Sequence, residues 1–156
     1  MMRRIGQLGA VSALALAAGP LEAQDIHDCD WRASAAAIAE PWDSHTRSFA
    51  NGAVRLALLD TIEPAAGSHY LLILSPPYDE IGGRMCKVVG FGDGLGYLML
   101  DFADLQAAYD PARGLSFSLQ GRLYDPASDF GNALVLHVTV NQATGAVEAW
   151  HELGGE

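Results

Sequence analysis

The chain has 156 residues, a formal net charge of -10 and only two cysteines. That length fills one domain, with a core that buries roughly two-thirds of the unfolded surface, and excludes two substantial lobes around a cleft. So acidic a surface repels nucleic acid and anionic lipid, and neither is expected as the main partner.

The first stretch reads as an export leader. Arg3 and Arg4 open it, Ile5 to Ala18 is mostly apolar, Gly19 and Pro20 break it, and Leu21-Glu22-Ala23 ends on the small residue a signal peptidase requires. The apolar run is shorter than the ~20 residues needed to cross a bilayer. Residues 1–23 are therefore expected to be removed. Residues 24–156 are expected to form a single antiparallel β-rich domain, periplasmic or secreted, with no stable membrane anchor. In such an oxidising compartment Cys29 and Cys86 are expected to pair. Closing the loop between them adds about 4 kcal/mol in the chain-entropy model.

After a polar lead-in over 24–30, Asp30 is placed to cap a helix from Trp31 to Ala39. Trp31, Ala35 and Ile38 form its buried stripe, and Pro41 lies just beyond its end. From Ala53 the period changes to two, with Val54, Leu56 and Leu58 on one face of a strand. Tyr70 to Leu74 is a continuous apolar run suited to a strand covered on both sides. Residues 75–83 contain two prolines and two glycines and read as a long loop. Met85 to Phe91 and Leu95 to Leu100 flank Asp93-Gly94, a strong hairpin cue because both central residues tolerate positive φ.

Asp101 then opens a second predicted helix, Phe102 to Tyr109, with Phe102, Leu105 and Tyr109 inward; Asp110-Pro111 stops it. Alternation predicts strands over Leu115 to Leu123 and Leu134 to Val140. Asn141 to Gly145 reads as a turn into a last strand over Ala146 to His151. The phrase Tyr-Asp-Pro-Ala, at 109–112 and again at 124–127, reads as one turn solution used twice. The sum is a mainly β (α+β) fold of about seven strands and two short helices. Its short connections require antiparallel pairing, so it is a sandwich or a partly closed barrel.

Motifs for chemistry are sparse. The glycines at 90, 92, 94 and 96 lack the GxGxxG spacing and no phosphate-loop lysine follows. His27-Asp28-Cys29-Asp30 concentrates metal-ligand types, yet no His-x-x-x-His or Cys-x-x-Cys completes a set, so no metal and no cofactor are expected. Ser68 and His69 are neighbours, but adjacent strand residues point to opposite faces. His137 falls on the outward side of its strand. The loop at 75–83 is the most suggestive element: Pro76 and Pro77 stiffen it, and Tyr78 and Ile81 offer apolar contact surface at low entropic cost. The competing expectation is that Tyr78 folds back on the core while the prolines merely end a strand.

The strings Asp-Ile-His-Asp-Cys-Asp-Trp and Ala-Asn-Gly-Ala-Val-Arg-Leu-Ala-Leu-Leu-Asp, with the paired cysteines, resemble small uncharacterised exported proteins of alphaproteobacteria. The resemblance implies an exported single domain and carries no activity or site. The expected function is a non-enzymatic binding or interaction module for a protein or small ligand. The alternative is a small periplasmic hydrolase-like enzyme, its site assembled from His45, His69, His137 or His151 with carboxylates.

Overall fold

Two apolar runs set the centre of the molecule. The computed structural model describes residues 24–154; the expected leader lies outside the described residues. Val54–Asp60 forms strand β3 and His69–Tyr78 forms β4, paired antiparallel with Leu56 opposite Ile73 and Leu58 opposite Leu71. With β1 (Asp25–Asp28), β2 (Thr46–Phe49) and β5 (Arg84–Gly90) they make a five-stranded sheet in the order β1-β5-β4-β3-β2. One face of it, with Leu56, Leu58, Leu71, Ile73 and Val89, packs on a second sheet. The other, with Ala57, Leu59, Tyr70, Leu72 and Val88, lies under the segment that follows β1. Cover on both faces explains why these strands read as nearly continuous apolar runs.

The second sheet contains β6 (Met99–Leu100), β7 (Gln106–Asp110), β8 (Gly114–Asp125), β9 (Phe130–Val140) and β10 (Val147–Leu153). Its order is β10-β9-β8, with β6 and β7 both pairing with β8. Leu115, Phe117, Leu119, Leu134, Leu136 and Val138 point inward, while Ser116, Ser118, His137 and Thr139 take the alternate, outward positions. The two antiparallel sheets form a sandwich, not a closed barrel. Along one side a side chain replaces strand pairing. The Arg47 guanidinium of β2 donates to the Leu105 and Ala103 carbonyls at 3.1 Å each and lies over the Phe102 ring.

Turn chemistry behaves as its residues dictate. Asp93 and Gly94 both take positive φ, 52° and 76°, closing the turn between Gly92 and Leu95. The expected hairpin around that turn does not extend beyond it: β5 pairs with β1 and β4, while the strand expected over 95–100 shrinks to Met99–Leu100 and pairs with β8 in the other sheet. The two Asp-Pro-Ala turns repeat one device: Asp110 Oδ1 accepts from the Ala112 N–H at 2.7 Å, and Asp125 Oδ1 from Ala127 at 2.9 Å.

The described residues hold ten strands rather than about seven. The strands that periodicity missed, β1, β2 and β7, are short, polar and carry no alternating apolar signal. Neither predicted helix forms. Trp31 to Ala39 is instead two 3₁₀ turns, Trp31–Ala33 and Ala35–Ala37. Trp31 is 70% exposed, whereas Arg32 is buried. Asp30 does cap the segment, but it also draws the Arg32 guanidinium inward over the Tyr70 ring. The Cys29–Cys86 disulfide, with a Cα–Cα distance of 5.3 Å, and the Ile38–Leu59 bridge hold the segment flat against the sheet. A flat, tethered path suits tight turns better than a helical cylinder.

In the second case Phe102 and Leu105 are buried as expected, but Tyr109 is 65% exposed and the chain enters β7 at Gln106. Pairing with β8 overrides the local helical pattern. The only α-helix among the described residues is a single turn, Trp42–His45. The supposed loop at 75–83 is also mostly strand. β4 runs through Pro76 and Pro77 to Tyr78, with a register irregularity between Ser75 and Tyr78. Prolines have no N–H for the ladder, so the bulge falls where they sit.

Candidate functional site

Only residues 79–83 reverse the chain between β4 and β5. Asp79 fixes this tip: its Oδ1 accepts from the N–H of Ile81 at 3.0 Å and of Gly83 at 2.6 Å. Its own N–H donates to the Gly83 carbonyl at 2.8 Å. Gly82 takes φ +88°, a conformation that favours glycine. Tyr78 is 50% exposed and Ile81 is 94% exposed, so Tyr78 does not fold back on the core.

The support behind the tip comes from two further turns. Arg84 places its guanidinium over the Tyr78 ring and donates to the Gly52 carbonyl at 2.9 Å in the β2–β3 turn. Pro77 and Met85 lie against Gly145 of the β9–β10 turn. Pro76, Pro77, Tyr78 and Ile81 thus belong to one end of the sandwich, the prolines and Tyr78 at the end of β4 and Ile81 in the reversal that follows it.

The four histidines considered for catalysis lie in separate surroundings. His45 sits by Phe102 and contacts the Pro41 carbonyl. His151 contacts the buried Gln24 amide, whose oxygen accepts from the Tyr97 hydroxyl at 2.6 Å; burial pushes the Tyr97 hydroxyl well above its ordinary pKa. His69 Nδ1 lies 3.3 Å from Ser68 Oγ, with Nε2 3.9 Å from Asp60. The expectation that Ser68 and His69 point apart fails because β4 begins only at His69, leaving Ser68 in the preceding connection. Burial raises the Asp60 pKa, but the Ile62 N–H, Ser68 and His69 outweigh it and hold the carboxyl below its usual range. Ser68 is 3% exposed, which closes its hydroxyl to a substrate.

The His27–Asp30 stretch spends its ligand-type side chains on close contacts: Asp25 Oδ2 lies 2.7 Å from His27 Nε2, and Asp28 pairs with Lys87 and Asp30 with Arg32, each at 2.7 Å. Cys29 is in the disulfide. Among the described residues no three His, Cys, Asp or Glu side chains come together as a metal site.

Sequence reasoning missed an arrangement on the outer face of the second sheet. Direct pairing aligns Gln106, Ser118, His137 and Trp150 in one row across β7, β8, β9 and β10. A second row aligns Ala108, Ser116, Thr139 and Glu148. His137 stacks on Trp150 with ring centroids 4.1 Å apart and planes 15° from parallel. His137 Nε2 is buried, with no hydrogen-bond partner among the described residues, 4.0 Å from Glu152. The outward alternation of β8 and β9 was legible in the sequence, but the register that sets His137 against Trp150 was not. Comparison of the chain with family models, curated proteins and solved structures returns no match.

Proposed function

We propose that the chain is a non-enzymatic, exported interaction module on a disulfide-linked β scaffold, and that the β4–β5 tip is its contact element for a protein partner. The observation that carries this reading is the exposure of Tyr78 and Ile81 on a reversal whose backbone Asp79 has already fixed. A pre-ordered apolar tip loses little conformational entropy on docking, so more of its burial is available as affinity. The disulfide and the leader-like first residues support an oxidising compartment, periplasmic or secreted. No helix among the described residues is long and apolar enough to cross a membrane.

The test is capture from periplasmic extract by the immobilised chain, compared with the double variant Tyr78→Ser/Ile81→Ser. Both side chains are exposed, so the variant is expected to keep the wild-type circular dichroism spectrum and unfolding midpoint. A partner retained by wild type and lost by the variant supports the reading; undiminished capture removes it. A hydrolase-like reading draws on Asp60, Ser68 and His69, where a histidine meets both a hydroxyl and a carboxylate. It ranks second because Ser68 is closed from solvent.

A further inference from the structure

The outer face of the second sheet is shaped, and its chemistry is selective. A depression of about 270 Å³ lies over Gln106, Ser116, Ser118, His137 and Trp150. A second, of about 360 Å³, is lined by Asn141 and Glu148 among others. Arg113, Thr139 and Trp150 line both, so the two depressions adjoin and together form a trough that shares Trp150. At ~4.8 Å per strand, the row from Gln106 to Trp150 spans about 14 Å.

The floor excludes several ligand classes. Its surface is more polar than apolar, with Gln106, Ser116, Ser118, Thr139 and Asn141 among the lining residues, so an apolar ligand finds little surface to exchange for water. Arg113 is offset by Glu148 in the lining, and Glu152 stands 4.0 Å from His137, so the face offers no net positive charge for a polyanion, and the acidic chain as a whole repels one. What the trough does offer is a flat aromatic surface of fixed orientation, since stacking on His137 pins the Trp150 plane while leaving the residue 37% exposed. Beside it stand the hydroxyls of Ser118 and Thr139, which can both donate and accept, while Ser116 Oγ donates to the Ala108 carbonyl at 3.4 Å and Gln106 Nε2 to the Asp104 carbonyl at 3.0 Å, leaving their oxygens as acceptors.

A pyranose ring matches that combination. Its C–H face packs on an aromatic plane, while its equatorial hydroxyls pair with neutral donor–acceptor side chains at the rim. The open, elongated shape suits a chain of rings better than a single enclosed sugar. From these observations we propose that the trough across β7, β8, β9 and β10 binds a short neutral oligosaccharide, with Trp150 as its stacking platform and Ser118 and Thr139 as hydrogen-bonding partners. This site is independent of the β4–β5 tip and stands or falls separately from it.

The experiment uses the full chain carrying Trp31→Phe and Trp42→Phe, which leaves Trp150 as the only tryptophan. Its fluorescence is titrated with cellohexaose, chitohexaose, xylohexaose and maltohexaose, and calorimetry follows on the wild type, where the other tryptophans do not interfere with the readout. The expected result is a saturable change with at least one of the four, with a dissociation constant tighter than about 1 mM. Trp150→Ala should weaken binding at least about tenfold by calorimetry, Trp150→Phe should retain part of it, and Ser118→Ala with Thr139→Ala should weaken it further. Circular dichroism of each variant confirms that the sheet is intact. Absence of binding to all four probes overturns the proposal, as does binding that Trp150→Ala leaves unchanged.

Discussion

Met85 of the first sheet lies directly against Gly145 of the second. Gly145 closes the β9–β10 turn with its N–H donating to the Asn141 carbonyl at 2.7 Å, at φ +77°. A Cβ built at that position runs into Met85 Sδ and comes within 2.8 Å of Pro77 Cδ. The contact ties the two sheets together at the end that carries Tyr78 and Ile81. It also makes the glycine necessary twice over, for its backbone angle and for the space it leaves.

Gly145→Ala should therefore destabilise the chain by about 1–3 kcal/mol, combining left-handed strain with overpacking. Urea unfolding measures it. Adding Met85→Ala should recover only part of the loss, because Pro77 is stiff and the φ penalty remains. Full recovery would place the whole cost in the methionine contact.

The disulfide closes a loop of 57 residues and fastens the 3₁₀ segment over the outer face of the first sheet. In the chain-entropy model its removal costs about 4 kcal/mol. The double variant Cys29→Ser/Cys86→Ser should lower the urea midpoint accordingly, and reductant should move wild type to the same place. Hydrogen exchange should report the largest loss of protection around Ala37 in the segment and around Leu59, Tyr70 and Val88 beneath it. Uniform loss would show that the bond acts on the unfolded chain alone.

The central strands, the β8–β9 pair and the Asp93-Gly94 turn were readable because burial and turn geometry write themselves into local periodicity. The edge strands were not. Asp25–Asp28 and Gln106–Asp110 are strands because β5 and β8 lie beside them, and nothing in their own residues demands it. The same reason hid the trough: Ser118 and Trp150 are separated by 32 positions and meet only through the register of two intervening pairings. At the β4–β5 tip the case is reversed. The two prolines read as a loop, yet the strand absorbs them by a bulge, and what the residue types did convey was an aromatic and an isoleucine near a reversal.

Acid should weaken the fold in part through Asp30. Its carboxylate is held by the Arg32 guanidinium, which brings its pKa below the ordinary 3.8. A carboxyl depressed in the folded state contributes stability above its unfolded value, and that contribution is lost as pH falls through the folded value. The loss is therefore confined to the range below about pH 4. Asp30→Asn should be less stable than wild type at pH 7, and its urea midpoint should fall less between pH 7 and pH 3. Asp25, Asp28, Asp60 and Asp125 are depressed as well, so a reduced acid slope, not a flat one, is expected. An unchanged slope would show that the Asp30–Arg32 pair does not distinguish the folded from the unfolded chain.

Ile62 presents the opposite situation, a side chain whose removal should help. It sits at φ +68°, a region where a β-branched residue costs about 1–2 kcal/mol, and it is 75% exposed. Its N–H donates to Asp60 Oδ1 at 2.8 Å, which holds the backbone in that conformation without any help from the side chain. Asparagine tolerates the same φ, so Ile62→Asn should raise stability by about 0.5–1 kcal/mol in urea unfolding. Ile62→Gly should gain less, because glycine also loosens the unfolded chain. Asp60→Ala should cancel the benefit by releasing the loop. A fall in stability on Ile62→Asn would show that the exposed isoleucine packs against something in solution, and would move attention from the β4–β5 tip to the connection between β3 and β4.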